Sequence, residues 1–145
     1  MRSFLLATLA ALVLALQLVA CGPGHDWQKV AEDDPAIEAA RQKSRETFPE
    51  FLAAYKKRQP MDAFVVEVFY QSTEYITIRV TELSETEVTG DVLSHPSHVS
   101  LKSGETITIP LGDLSILSEW AINTADGEPI GGYVSQERSR LSHGG

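Results

Sequence analysis

Phe64-Val65-Val66-Glu67-Val68-Phe69-Tyr70 decides the fold. Six of these seven residues are β-branched or aromatic, a composition that suits a pleated strand. Apolar residues stand at both parities of the run, which predicts a strand covered on much of both faces. Glu67 breaks it. Either this carboxylate turns outward on an edge strand, or it is a buried acid with a function.

Downstream the period stays at two. Ile76, Ile78 and Val80 alternate with Thr77, Arg79 and Thr81, the pattern of a sheet with one wet face. Val88, Gly90 and Val92 follow a polar turn at Ser84-Glu85, and Lys102-Ser103-Gly104 leads into Thr106-Ile107-Thr108-Ile109 before Pro110 stops the strand. Trp120-Ala121-Ile122 and residues 130–134 are the last strands expected, joined by a turn at Asp126-Gly127. From Ser139 the chain is polar and reads as a loose tail.

Upstream the period is helical. Asp34-Pro35 supplies an N-cap and a first-turn proline. Thr47-Phe48-Pro49-Glu50 repeats the signal as a capping box, and Phe48, Phe51, Leu52 and Tyr55 recur on one helical face. One kinked helix or two short ones, ending near Arg58, should therefore pack on the sheet. Helices first and hairpin-linked strands afterwards define an α+β domain with a curled, mainly antiparallel sheet of five to six strands, which strong curl could close partly into a barrel.

The N-terminus carries an address. Arg2 precedes residues 4–20, which are interrupted only by Thr8 and Gln17. As a helix they reach roughly 25 Å, short of the roughly 30 Å hydrocarbon core, so a cleaved signal peptide is expected rather than a spanning helix. Leu18-Val19-Ala20-Cys21 resembles the lipobox of bacterial lipoproteins: small residues fit the peptidase, and the thiol accepts diacylglycerol. Cys21 is the one cysteine in the chain, so it staples nothing within it. The expected organisation is a signal at 1–20, a flexible tether at 21–32, the domain at 33–141 and a tail at 142–145. Gly22, where an Asp would resemble an inner-membrane retention signal, favours the outer membrane, facing the periplasm, in a host that has one.

Without residues 1–20 the chain has eleven cations against twenty acids, a net charge of −9, which argues against nucleic acid as a partner. The charge is uneven. Residues 41–58 hold six cations against Glu46 and Glu50, net +4, while residues 62–128 set Arg79 and Lys102 against twelve acids, net −10. The basic helical part either docks on the acidic sheet or meets anionic headgroups near the anchor.

Catalytic signals are sparse. His95 and His98 could share an ion, but zinc sites want three or four ligands, and only Asp91 stands near in sequence. No Gly-x-Ser-x-Gly occurs. Gly131-Gly132 lacks phosphate-loop spacing and predicts a bulge or a close backbone approach. No cofactor is expected.

An ordered set of marks crosses residues 33–140: Thr47-Phe48-Pro49-Glu50-Phe51, Glu74-Tyr75, Gly90-Asp91-Val92 before Pro96, Gly104-Glu105, Ser118-Glu119-Trp120 and Ile130-Gly131-Gly132-Tyr133. In this order they resemble the YegJ-like family of uncharacterised bacterial proteins, the domain of unknown function 2314. Members often have an aromatic after the Glu-aromatic pair, where this chain has Ile76. The resemblance implies a fold and an envelope setting but no activity. The expected function is a membrane-anchored envelope lipoprotein with a non-catalytic binding or scaffolding domain, its partner an envelope protein or polymer, with Glu74, Trp120 and Tyr133 as first candidates for the binding surface. The alternatives are an immunity-like lipoprotein whose acidic sheet blocks a basic toxin, and an envelope hydrolase using Glu67 or the His95/His98 loop.

Overall fold

Asp34 starts the ordered helices as its spacing predicts: its Oδ1 accepts the Ala36 N–H at 2.8 Å, and Pro35 takes the first helical position. In the computed structural model, which describes residues 29–144, helix α1 spans Pro35–Glu46 and α2 spans Phe48–Lys56. The break between them falls at Thr47, so two short helices form. The expected capping box does not. The Thr47 hydroxyl turns back to the Lys43 carbonyl (2.7 Å) and accepts the Trp120 indole N–H (3.2 Å), which leaves the α2 N-terminus without a side-chain cap.

Six strands follow: β1 (Ala63–Tyr70), β2 (Glu74–Leu83), β3 (Glu87–Val92), β4 (Thr106–Pro110), β5 (Leu117–Asn123) and β6 (Ile130–Gly131). They form one antiparallel sheet in the order β4-β3-β2-β1-β5-β6, with β4 and β6 at opposite edges, so no barrel closes. The run that opens the sequence argument is thus an interior strand. Phe64, Val66 and Val68 face the core beside Ile76, Ile78 and Val80 of β2 and Trp120 and Ile122 of β5. Ile76 is fully buried there, so the departure from the family pattern at this position concerns packing rather than surface.

Helix α2 covers that face with Phe48, Phe51 and Tyr55. The Phe51 ring lies 5.2 Å from Trp120 and 5.3 Å from Phe64, and Tyr55 meets Phe64 edge-on at 5.2 Å. Helix α1 packs beside β5, where the Trp120 indole donates to the Ser44 carbonyl at 3.0 Å.

The C-terminus differs from the sequence expectation. The strand expected over residues 130–134 ends at Gly131, and Tyr133–His143 form helix α3 in place of a loose tail. Gly131 and Gly132 both take positive φ, +80° and +69°, which turns the chain out of the sheet. A Cβ on Gly131 would stand 2.4 Å from the Trp120 carbonyl and 2.6 Å from its ring, so glycine is required where backbone meets indole. Val134 of α3 then packs with Ile37 and Ala40 of α1, with Tyr133 and Leu141 at the margin. Too few apolar residues mark this helix for its period to show.

Candidate functional site

The second face of the sheet is polar, and its centre is Glu67. On interior β1 it stands opposite Thr77 of β2 and Glu119 of β5. Two carboxylates directly opposite one another are unfavourable unless each is compensated. Helix α3 answers both. Arg138 grips Glu67 with two parallel bonds, Nη1 to Oε2 and Nη2 to Oε1, each 3.1 Å. Ser118, the extra residue where the β1–β5 register shifts, donates its hydroxyl to the same carboxylate at 2.7 Å. Glu119 accepts the Ser135 backbone N–H at 2.8 Å and the Ser135 hydroxyl. Because Gly132 has no side chain to cap α3, Glu119 supplies an acceptor and a negative charge at the helix start.

The network continues outward. Arg138 Nη2 also reaches Glu32 at 2.9 Å; Arg41 donates to the Glu32 carboxylate and, at 2.7 Å, to its carbonyl. The Tyr75 ring lies beside both guanidiniums, 4.8 Å from Arg41 and 5.9 Å from Arg138. Burial works to lower the Arg138 pKa, but the bonds to Glu67 and Glu32 outweigh it and hold the group above its ordinary value. Burial also raises Tyr75, against the opposing pull of Arg41. The Glu67 side chain is 15% exposed and that of Glu32 49%, so the inner bond carries more of the energy than the screened outer one.

Glu67 is therefore neither an edge residue nor a free acid. Beside it lies a shallow depression of about 180 Å³, lined by Val65, Thr77, Ala121, Asn123 and Ser135 together with Glu67 and Glu119. Both carboxylates already accept from α3, so the arrangement works as a clamp holding a polar helix to a sheet. Its open side could receive hydroxyl or amide donors. Among the described residues no group of three His, Cys, Asp or Glu is placed to hold a metal.

The expected surface residues are scattered. Trp120 is fully buried, a core residue and not a surface one. Tyr133 is half-buried at the α1–α3 junction, edge-on to Trp120 at 5.8 Å with the Lys43 ammonium 4.3 Å from its ring centre. Glu74 opens β2 and holds the 93–105 loop: its carboxylate accepts the backbone N–H groups of His98 (2.9 Å) and Ser97 (3.1 Å). These bonds, His98 first, hold its pKa below the ordinary value. His98 Nδ1 is 3.8 Å from Glu74 and largely exposed, while Asp91 takes the Thr106 hydroxyl instead of joining the histidines. Cys21 lies outside the described residues.

Arg138, Arg41, Glu32 and Ser118 are absent from the sequence expectations. Arg138 fell near the expected tail and Glu32 in the expected tether. The available signal was Glu67 itself: an acid inside an apolar interior strand calls for a cation from elsewhere in the chain.

An α+β domain with one helix pair on the apolar face of an open sheet, and a third helix clamped by carboxylates on the polar face, defines the class of protein. Within that class the chain belongs to the family described as an uncharacterized protein conserved in bacteria (DUF2314), whose model matches residues 34–143. No curated protein and no solved structure matches it.

Proposed function

We propose that the chain is a bacterial envelope lipoprotein, held to a membrane by lipid on Cys21, whose domain binds a partner without catalysing a reaction. The observation that carries the reading is Leu18-Val19-Ala20-Cys21 at the end of an apolar run, with no other cysteine in the chain. Two or more acyl chains, at about 0.8 kcal/mol per buried CH₂, make such an anchor effectively permanent. In a diderm host Gly22 favours the outer membrane, with the domain in the periplasm. No helix among the described residues is long and apolar enough to cross a membrane.

The partner is taken to be an envelope protein or polymer. Glu74 and Tyr133 remain candidates for contacting it, being partly exposed. An immunity-like role against a basic toxin is favoured by one observation, the net −10 of residues 62–128 with Glu82, Glu85 and Glu87 exposed around the β2–β3 turn. The hydrolase alternative draws less support, because Glu67 already engages both oxygens with Arg138.

Metabolic labelling with a fatty acid, followed by mass analysis of the mature N-terminus, tests the anchor. Label should appear on the natural chain and vanish from Cys21→Ser, which should also accumulate uncut. An unlabelled, uncut natural chain would end this reading.

A further inference from the structure

Six cations lie within residues 41–58, and the structure separates them by partner. Arg41 and Arg45 pair with Glu32 and Glu38, and Lys43 lies over Tyr133. Lys56, Lys57 and Arg58 are exposed. Among the ion pairs of the described residues none includes these three. Arg58 stacks on the Tyr55 ring at 3.9 Å and donates to the Tyr55 carbonyl, which fixes its guanidinium without neutralising it.

The chain then turns through Pro60 and Met61 into β1. Met61 is 76% exposed, more than any other large hydrophobic residue described. Ile130, 49% exposed, stands at the same end of the sheet, after the 124–129 turn whose Ala125 and Asp126 share a groove with Pro60 and Met61. Three unpaired cations and the most exposed apolar side chain thus fall within six consecutive residues. The nearby acids are Asp62, whose carboxylate accepts the Gln59 N–H at 2.8 Å, with Asp126 and Glu128 across the groove.

We propose that this end of the domain docks on an anionic phospholipid surface, with Lys56, Lys57 and Arg58 against the headgroups and Met61 entering the interface. The inference rests on the Cys21 anchor, which would keep a bilayer within reach. Ten residues separate Cys21 from Glu32, where Arg41 and Arg138 hold the chain, and extended they span roughly 35–40 Å. Charge selects the orientation. The same surface repels residues 62–128, net −10, and attracts the three free cations, each contributing about fivefold to residence at an anionic leaflet.

The test uses the full chain, expressed with its own leader, purified from membranes and reconstituted in vesicles of phosphatidylcholine with or without phosphatidylglycerol. Met61→Cys gives a thiol for an environment-sensitive dye while Cys21 carries lipid. The dye should report a drier setting in phosphatidylglycerol vesicles than in neutral ones. The difference should fade with added salt, and replacing the three cations by Gln should reduce the docked-to-undocked ratio by roughly 100-fold. Equal dye signals in both vesicles, with circular dichroism showing a folded domain, would overturn the docking surface. Mass analysis of the N-terminus separates the two readings. An unlipidated protein whose dye still responds to phosphatidylglycerol sustains the surface and removes the anchor; a lipidated one with no response does the reverse.

Discussion

The two faces of the sheet are held by different physics. On one, α2 buries Phe48, Phe51 and Tyr55 against strands whose inward residues are nearly all apolar. On the other, α3 buries Val134 fully and otherwise relies on Arg138, Ser135 and the carboxylates of Glu67 and Glu119. Apolar contact is non-directional and scales with area, so the first face holds wherever volume is filled. A carboxylate clamp depends on both partners, because removing one leaves a charge with little water around it. The α2 face should therefore set global stability, whereas the α3 face should open by itself.

Trp120→Ala is the strongest way to test the first half of that contrast. It removes the largest fully buried side chain, which touches Phe51 and Tyr133 and donates to the Ser44 carbonyl and the Thr47 hydroxyl. A loss of about 3–5 kcal/mol is expected by denaturant unfolding. Hydrogen exchange should rise in every strand together. A loss under about 1 kcal/mol would show that the indole is not central to the core.

Arg138→Ala addresses the second half, with a smaller effect. It strands Glu67, and because the Arg138 side chain is 25% exposed the full cost of a broken buried pair is discounted, to about 2 kcal/mol. The readout is local: amides of α3 should exchange faster while those of β1 and β2 hardly change. The double variant Glu67→Leu with Arg138→Met should recover most of the loss, since an apolar pair leaves no uncompensated charge. Uniform acceleration across the sheet in the single variant would mean that the two faces are one cooperative unit.

The contrast also explains what could be read from the sequence. Apolar periodicity reports residues that meet through area, so strands β1 to β5 and the two N-terminal helices were legible from alternation, caps and the Phe48/Phe51/Tyr55 face. Helix α3 was not, because its attachment lies in charges and in a glycine pair whose meaning depends on where Trp120 sits. Glu67 announced a partner without naming it, since Arg138 is 71 residues away in sequence. Trp120 misled in the other direction: an indole reads equally as core or as contact surface until its N–H finds the Ser44 carbonyl. Cap signals had the same limit at Thr47, whose hydroxyl was claimed by a helix carbonyl and a distant tryptophan.

The smallest effect expected belongs to the polar side of the comparison and turns on pH. The 93–105 loop is pinned by Glu74, whose carboxylate accepts from the His98 and Ser97 backbones. Those bonds favour the charged form, so the folded pKa lies below the ordinary 4.5. A depressed carboxylate contributes stability above the unfolded value and loses it as pH falls through the folded one. The Ser97 and His98 amides should therefore keep their protection from neutral pH down to about 5, then lose it progressively below the ordinary carboxylate value. Glu74→Ala should remove that protection at every pH while leaving β1, β2 and β5 intact. An acid titration followed by amide chemical shifts checks this, with the core strands as internal reference. If the loop and core amides moved together, Glu74 would be reporting global acid unfolding, and the loop would belong with the area-driven face.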